Sequence, residues 1–298
     1  MTDRVSDVAV AMVAISKSYG GVRALREVDF TARRGEIHAL LGENGAGKST
    51  ILKILRGVET PDSGTITVKG RAFPGLTPRL AHELGIGMIF QEMSLVPTLT
   101  VAQNIFLANE PLTGAGLIDD GLMRRRAVEL FSSMGVSVDP TAFVSEISTG
   151  QQQLTEIAKA LSQNADILIL DEPTSALTAA EVDILFSLLR RLKDEGRTII
   201  YVSHRMDEIF RIADRATVLR DGRLIGSRPI GDYTLSTLIA DIMGKATKDL
   251  SEFSTASTAT SEVVLDVRDL SSRARGGSAS LTLHKGEVLG LAGLLGSG

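Results

Sequence analysis

The stretch "GENGAGKS", Gly42 to Ser49, decides the fold of this chain. It fits the pattern G-x-x-x-x-G-K-[ST], and it lies between the apolar run "HALL" and the helix-like segment "TILKIL". A strand, a glycine-rich turn and a helix in this order let backbone amides curl around phosphate oxygens, while the helix N-terminus adds partial positive charge. The sequence therefore predicts a phosphate-binding loop at the end of a buried strand.

The residues of this loop are expected to divide the work of holding a nucleotide. Lys48 can reach the β and γ phosphates, the Ser49 hydroxyl can hold Mg²⁺, and Thr50 can donate to the α phosphate. A glycine-rich turn with an incidental lysine is the alternative, and the strand-turn-helix context argues against it. The predicted nucleotide-binding residues here are Gly42, Glu43, Asn44, Gly45, Ala46, Gly47, Lys48, Ser49 and Thr50.

Two adjacent carboxylates follow the continuously apolar segment "ILIL". Asp171 is placed where a buried strand emerges, in a position to bind Mg²⁺, and Glu172 comes directly after it. A carboxylate beside a γ phosphate can orient and deprotonate the attacking water. A helix N-cap is the structural alternative for such a pair. The presence of the phosphate-binding loop favours the catalytic interpretation.

The segment "ISTGQQQLTEIAKAL" allows two interpretations. Ser148 and Gln151 form a capping-box pattern, and the apolar residues that follow have helical spacing, so an ordinary capped helix explains every local feature. The same terminus offers a hydroxyl, free amides and the helix dipole to an anion. The residues alone leave the choice open.

Alternating strand and helix patterns along the chain indicate an α/β fold with a mostly parallel core sheet. Residues 8–40 have the pattern of short strands, and "ATVLRDGRLIG" is typical of a hairpin with an Asp-Gly turn. The pattern becomes helical from about residue 98 to 162, where Thr100 and Gln103 form a capping-box pattern and Gly135 is expected to stop a helix. Thr178 and Glu181 are expected to cap a later helix. Residues 245–261 are rich in Ser, Thr and Ala with few large apolar side chains, which is typical of a linker.

Composition excludes several kinds of protein. There is no cysteine among the 298 residues, which excludes a disulfide framework, cysteine zinc sites and thiol catalysis. The net charge of −4 gives no basic field for nucleic acid. No apolar run approaches the roughly 18 residues that a membrane helix needs, so any membrane contact is expected to go through a partner.

The segment "GEVLGLAGLLGSG", residues 286–298, repeats the region of the phosphate-binding loop. Gly35 aligns with Gly286, and Gly47 aligns with Gly298 at the same offset. The preceding segments "FTARRGE" and "LTLHKGE" also match. We therefore predict one complete domain followed by the opening of a second copy.

Four motifs, "GENGAGKST", "ISTGQQQ", "LILDEPTSAL" and "YVSH", stand in an order and spacing that resembles the ATP-binding subunit of ABC transporters. Finer features, such as "GIGMIFQEMSLVPTLTVAQNIFL" and the duplication, are similar to the tandem ATPases of bacterial ribose, xylose and galactose importers. The resemblance implies a P-loop NTPase with an N-terminal antiparallel β subdomain and an inserted α-helical subdomain. The implied domains are a first ABC domain at 1–244 with its helical subdomain at about 92–162, the linker at 245–261, and the start of a second ABC domain at 262–298.

The resemblance also implies roles for further residues. Tyr19 would stack on adenine, Gln91 would sense Mg²⁺ and water, and His204 would contact the γ phosphate. The Mg²⁺ ligands would be Ser49, Gln91 and Asp171. The signature residues that contact ATP held by the other domain would be Ser148, Thr149, Gly150 and Gln151.

The expected function is ATP hydrolysis that energises sugar import, with Glu172, His204 and Lys48 as the catalytic residues. The implied partners are permease subunits, a periplasmic or extracellular sugar-binding protein, and a second nucleotide-binding domain in the same chain or a homodimer, on the cytoplasmic face of the membrane. A soluble ABC ATPase that acts on ribosomes or DNA, and a non-catalytic subunit, are the alternatives.

Two departures from the family pattern bear on the two composite sites. Thr149 replaces the first glycine of the signature, and Thr178 replaces the usual aspartate after "SAL". Sugar importers vary at both positions, so the departures do not imply inactivity. We expect weak or no turnover from residues 1–298 alone, because the second copy's signature, carboxylates and histidine are not among them.

Overall fold

The computed structural model describes residues 7–89, 94–163, 165–175, 177–244, 260–271 and 278–290. The chain divides into two units, residues 1–245 and 246–298. The strands are β1 (Val8–Tyr19), β2 (Val22–Arg33), β3 (Ile37–Leu41), β4 (Ser63–Val68), β5 (Arg71–Phe73), β6 (Ile86–Ile89), β7 (Ile167–Asp171), β8 (Thr198–Val202), β9 (Arg215–Arg220), β10 (Arg223–Pro229), β11 (Val263–Ser271) and β12 (Ser278–His284). The α-helices are α1 (Lys48–Leu55), α2 (Pro78–Glu83), α3 (Val101–Ile105), α4 (Asp120–Met134), α5 (Thr149–Ser162), α6 (Ala179–Asp194), α7 (Met206–Ile212) and α8 (Leu235–Met243).

The core of the first unit is a six-stranded sheet in the order β10-β9-β3-β8-β7-β6. The pairs from β9 to β6 are parallel, and β10 joins β9 as an antiparallel hairpin through Asp221 and Gly222, both at positive φ. All five residues of β3 and of β8 are buried, as strands covered on both faces require. The predicted α/β fold with a mostly parallel sheet is therefore confirmed.

A second, antiparallel sheet in the order β2-β1-β4-β5 contains the N-terminal strands. The sequence predicts short strands here, but β1 and β2 each run for 12 residues. Register shifts along β1, including one between Met12 and Ile15, interrupt the alternation of apolar and polar residues. A long strand with a bulge therefore has the sequence pattern of several short ones.

Helices α3, α4 and α5 form the predicted helical insertion between β6 and β7. Their ends follow the sequence signals. The side chains of Thr100 and Ser148 cap α3 and α5 in complete capping boxes, and Gly135 ends α4 in a left-handed conformation at φ 73°. Among the described residues, no helix is both long and apolar enough to cross a membrane.

The parallel sheet decides where the polar ends of its strands meet. Strands β3, β7 and β8 are neighbours, so their carboxyl ends lie at one edge of the sheet. Loops at that edge of an open α/β sheet are the usual place for a ligand. The phosphate-binding loop follows β3, the carboxylate pair ends β7, and His204 follows β8.

The second unit contains an antiparallel pair, β11 and β12. Gly286 follows β12 in a turn at φ 79°. Most residues of β11 are exposed, including Val263, Leu265 and Leu270. The predicted linker at residues 245–261 and the second glycine-rich loop at 291–298 lie largely outside the described residues.

Candidate functional site

The phosphate-binding loop is held tightly against β2. Gly47, at φ 105°, has left-handed backbone, and a Cβ at this position would come within 2.7 Å of the Leu25 side chain and 2.9 Å of the Ala24 carbonyl. No other residue type fits both constraints without strain. Gly47 also stands at the N-cap of α1, so the first amides of this helix face the loop. The local structure is the anion-binding turn that the sequence predicts.

Lys48 lies over this loop. Its Nζ donates to the Gly42 carbonyl at 2.7 Å and to the Glu43 carbonyl at 3.0 Å. Burial lowers the pKa of Lys48, while the charges of Asp171 and Glu172 oppose that shift. The ammonium group therefore shares one pocket with both carboxylates, which favours its charged form where a phosphate would bind.

Asp171 and Glu172 take different environments at the end of β7. Burial raises the pKa of Asp171, the neighbouring charge of Glu172 raises it further, and Lys48 opposes both effects. Glu172 has left-handed backbone at φ 50°, and its amide donates to the Val202 carbonyl at 2.9 Å. This turn is uncommon for a non-glycine residue, and such backbone recurs at functional sites.

Glu172 and His204 are in direct contact. Nδ1 of His204 lies 3.1 Å from Oε1 of Glu172, although the residues are 32 positions apart. The His204 side chain is 72% exposed and the Glu172 side chain 25% exposed, so both can reach a molecule in the cleft. The sheet thus brings together two groups that the sequence assigns to one reaction.

Around these residues the surface forms a two-part cleft. One part, of about 880 Å³, lies between the phosphate-binding loop, Glu172 and His204. The other, of about 410 Å³, runs from Tyr19 past the start of α1 to Asp171. Asn44, Lys48 and Glu172 line both parts. The dimensions suit a ligand larger than a single phosphate group.

Tyr19 lies at the outer end of the second part. The residue is 40% exposed, and Nζ of Lys17 lies 5.3 Å from the centre of its ring. An aromatic face at the edge of a phosphate-binding cleft is available for stacking on a base. Tyr19 therefore lies at the edge of the cleft, and its contact with adenine stays a prediction.

Oxygen donors that suit Mg²⁺ meet in the same part of the cleft. Ser49 and Asp171 both line it, and hydroxyl and carboxylate oxygens are ligands that Mg²⁺ takes while keeping several waters. The third predicted ligand, Gln91, lies outside the described residues. Among the described residues, no group of three or more His, Asp or Glu side chains forms a metal cluster.

The signature segment lies elsewhere. Ser148, Thr149, Gly150 and Gln151 line neither part of the cleft. Ser148 and Thr149 are exposed at the N-terminus of α5, whereas Gly150 is buried. A Cβ on Gly150 would collide with the Glu181 carboxylate at the start of α6. This close contact is a structural reason for glycine at position 150, in addition to the predicted contact with ATP held by another domain.

The sequence interpretation missed four residues that line the cleft: Ala24, Ser203, Met206 and Ile242. The sequence could have indicated Ser203, because it is a polar residue at the carboxyl end of the strand that precedes His204. Ala24 and Ile242 carry no local signal, since only the packing of β2 and α8 brings them to the site.

The chain is similar in sequence to known proteins. The ABC transporter family profile matches residues 25–175. The ribose import ATP-binding protein of Chromobacterium violaceum is 46% identical over 290 residues, which cover 97% of this chain and 57% of that protein. The chain therefore spans little more than half the length of this relative.

Solved structures agree on the fold. A dimeric ATP-binding cassette in a post-hydrolysis state, bound to ADP and inorganic phosphate, is 27% identical with a TM-score of 0.66, covering 74% of this chain and 98% of its own. An ABC transporter cassette in its ADP conformation has a TM-score of 0.69 at 22% identity, covering 80% of this chain and 99% of its own. The second likeness supports the fold alone.

Proposed function

Because the chain belongs to the ABC transporter family, we propose that it is the ATP-binding and ATP-hydrolysing part of an importer that energises monosaccharide uptake through a membrane permease. The observation that carries the proposal is the convergence of Lys48, Glu172 and His204 in one cleft, with Glu172 and His204 3.1 Å apart. The relative named for ribose import supports the sugar, and the same name disfavours a soluble ABC ATPase that acts on ribosomes or DNA.

In this proposal the P-loop, Gly42 to Thr50, binds the phosphates of ATP. Its amides and the N-terminus of α1 supply fixed partial positive charge, and Lys48 exchanges its contacts with loop carbonyls for the β and γ phosphates. Tyr19 stacks on adenine at the outer end of the cleft. In this proposal the binding energy comes mainly from the phosphates.

Hydrolysis requires a water in line with the bond to the γ phosphate. Glu172 orients this water and accepts its proton, and His204 contacts the γ phosphate from the other loop. Lys48 stabilises the charge that develops on the phosphoryl oxygens. Ser49, Gln91 and Asp171 would hold Mg²⁺, which would supply further charge neutralisation.

A second nucleotide-binding domain completes the proposed site. Ser148, Thr149, Gly150 and Gln151 stand at an exposed helix N-terminus away from the cleft, which suits contact with ATP held by another domain. That domain lies in the same polypeptide or in a second copy. The further partners would be permease subunits and an extracytoplasmic sugar-binding protein, with this chain peripheral on the cytoplasmic face.

The chemistry is tested by Glu172→Gln in the full-length protein. We expect ATP hydrolysis to fall by about 100-fold or more while ATP affinity is kept, because the proton acceptor is lost and the P-loop is intact. Glu129→Gln, an exposed change on α4, is the matched control and should leave both quantities unchanged. Wild-type hydrolysis by the glutamine variant would remove Glu172 from the proposed role.

The transport assignment needs a different experiment. The full-length protein is purified from source membranes with and without ATP, and the proteins that accompany it are identified. A multi-span permease supports the importer, and the sugar is then sought among the substrates of that permease. Ribosomes or nucleic acid without any membrane protein would overturn the importer in favour of the soluble ATPase.

A further inference from the structure

Glu208 is a buried carboxylate with no role in the proposed chemistry. It lies on α7 and is 0% exposed, and it does not line either part of the nucleotide cleft. A carboxylate is rarely buried unless its charge is compensated. The partners of Glu208 therefore indicate what it is for.

Three hydroxyl groups donate to a single oxygen, Oε2 of Glu208. The distances are 2.9 Å from Thr174, 2.8 Å from Tyr201 and 3.1 Å from Ser203. An ionised carboxylate only accepts hydrogen bonds, so all three hydroxyls must point toward it. Burial raises the pKa of Tyr201, and the negative charge of Glu208 raises it further, which keeps the phenol protonated as a donor.

The other oxygen balances the charge. Oε1 of Glu208 lies 2.9 Å from Nη1 of Arg205 as an ion pair, although the contact lacks hydrogen-bond geometry. The amide of Arg205 also donates to the Ser203 hydroxyl at 3.0 Å. The cluster of Thr174, Tyr201, Ser203, Arg205 and Glu208, which we name the carboxylate hub, is thus connected throughout.

Two of the three donors come from the two loops that carry the proposed chemistry, and the third, Tyr201, lies in β8. Thr174 lies two residues after Glu172 in the loop that follows β7, and Ser203 directly precedes His204 in the loop that follows β8. The Glu172 amide donates to the Val202 carbonyl, which links the start of the loop after β7 to the end of β8. The hub therefore adds a side-chain link between two segments that are far apart in sequence.

We propose that Glu208 is a positioning residue, which locks these two loops together and thereby holds Glu172 and His204 at their contact distance. This inference deepens the proposed ATPase function and rests on it for the catalytic consequence. A misplacement of about 1 Å can cost about 100-fold in rate, so a link that fixes two reacting groups has a large effect without touching the nucleotide.

A purely structural role predicts something different. A residue that only fills the core lowers overall stability when it is changed, and it loosens its own surroundings. A hub makes each loop depend on the other, because both donate to the same oxygen. Removing the Thr174 hydroxyl should therefore loosen the loop that contains Ser203 and His204. Among the described residues, Thr174 makes no other hydrogen bond to that loop.

The variants are Glu208→Gln and Thr174→Val, with Thr198→Val as the matched control. Thr198, at the start of β8, is also a buried threonine and is 1% exposed. Its hydroxyl, however, donates to the Arg33 carbonyl and not to Glu208. The neutral amide of Glu208→Gln offers fewer acceptor sites and places donors toward Arg205. Thr174→Val keeps the shape of the side chain, so the test survives if Glu208→Gln does not fold.

The first readout is hydrogen exchange in the full-length protein, which needs no catalytic turnover. We expect amides in both loops to exchange roughly tenfold faster or more in either hub variant, as the loss of a hydrogen bond to a charged group implies. Thr198→Val should leave both loops protected. Faster exchange in only one of the two loops, or in neither, would overturn the inference.

The second readout is the division between binding and turnover. The hub variants should lower kcat by about 10- to 100-fold while ATP affinity stays within about twofold, because the P-loop is not part of the hub. An unchanged kcat would also overturn the inference. If wild-type protein does not hydrolyse ATP, the proposed function fails, and hydrogen exchange still decides whether Glu208 couples the loops.

Discussion

Residues 8–41 and 263–290 correspond to each other in the repeat that the sequence predicts, and their structures are alike in some respects and different in others. In each, an antiparallel strand pair leads into a turn with the dipeptide Gly-Glu. Both turn glycines, Gly35 and Gly286, have positive φ, of 62° and 79°. The shared features extend to individual hydrogen bonds.

The glutamates after these glycines make the same contact. Oε1 of Glu36 accepts from the Arg33 amide at 2.8 Å, and Oε2 of Glu287 accepts from the His284 amide, also at 2.8 Å. Both bonds span three residues, so they need nothing from the rest of the molecule. Local sequence is sufficient to form the hairpin and its turn.

The difference begins one residue later. Ile37 is 0% exposed and starts β3, whereas its counterpart Val288 is 97% exposed in a segment that the structure does not assign to a strand. Strand β3 is hydrogen-bonded to β8 on one side and to β9 on the other. Burial of this strand therefore depends on residues more than 150 positions away, which the local repeat cannot provide.

The largest expected effect tests this difference at the matched pair Ile37 and Val288. Ile37→Asp buries an unpaired carboxylate in the central strand, so we expect it to destabilise the first unit by about 4 kcal/mol or more. Val288→Asp should change the stability of that unit by less than about 0.5 kcal/mol. Urea unfolding followed by circular dichroism measures both. Equal effects on the stability of the first unit would contradict the difference in burial between Ile37 and Val288.

Next in size is the effect of Lys48 on nucleotide binding, which tests whether binding resides in the first region. Lys48→Ala removes charge-assisted contacts to phosphate, and we expect the affinity for a fluorescent ATP analogue to fall by roughly 10- to 100-fold. Lys53→Ala, an exposed change on the same helix, is the control. Undiminished binding by Lys48→Ala would assign the nucleotide to another part of the chain.

A smaller effect concerns Glu36 and pH. Burial tends to raise the pKa of Glu36, but hydrogen bonds from His38 and the Arg33 amide and the charges of His38 and Arg215 outweigh it, so the pKa lies below its ordinary value. The carboxylate therefore stabilises the fold above its unfolded pKa, and that contribution is lost as the pH falls through the lower, folded pKa.

Glu36→Gln should accordingly cost about 1 to 3 kcal/mol at neutral pH and progressively less in acid. The matched change Glu287→Gln, at a partly exposed position in the corresponding turn, should cost less than about 0.5 kcal/mol at any pH. Unfolding curves at several pH values measure the difference. A pH-independent cost for Glu36→Gln would contradict the linkage.

The smallest effect concerns the turn glycine that the two regions have in common. Alanine at Gly35 or at Gly286 must adopt left-handed backbone, which costs about 1 to 2 kcal/mol at either position. For Gly35→Ala the cost should appear in the unfolding of the first unit, and for Gly286→Ala only as faster hydrogen exchange within β11 and β12. Loss of stability in the first unit from Gly286→Ala would contradict the local character of the second turn.

Much of the fold follows from sequence signals that act over a few residues. The capping boxes at Thr100, Ser148 and Thr178 start helices where predicted, and the Asp221-Gly222 turn joins the predicted hairpin. The length of β1 was not predicted, because its bulge breaks the period-two pattern. Roles assigned to the site residues, including Gln91 outside the described residues, stay predictions.

By itself, the sequence determined the P-loop turn, the helix starts, the hairpins and the repeat, because each rests on hydrogen bonds and backbone preferences between near neighbours. Only the tertiary structure decided that Glu172 meets His204, that three hydroxyls converge on Glu208, and that Ile37 is buried while Val288 is exposed. Those contacts depend on which strands lie side by side in the parallel sheet, and strand order is set by packing among segments far apart in the chain.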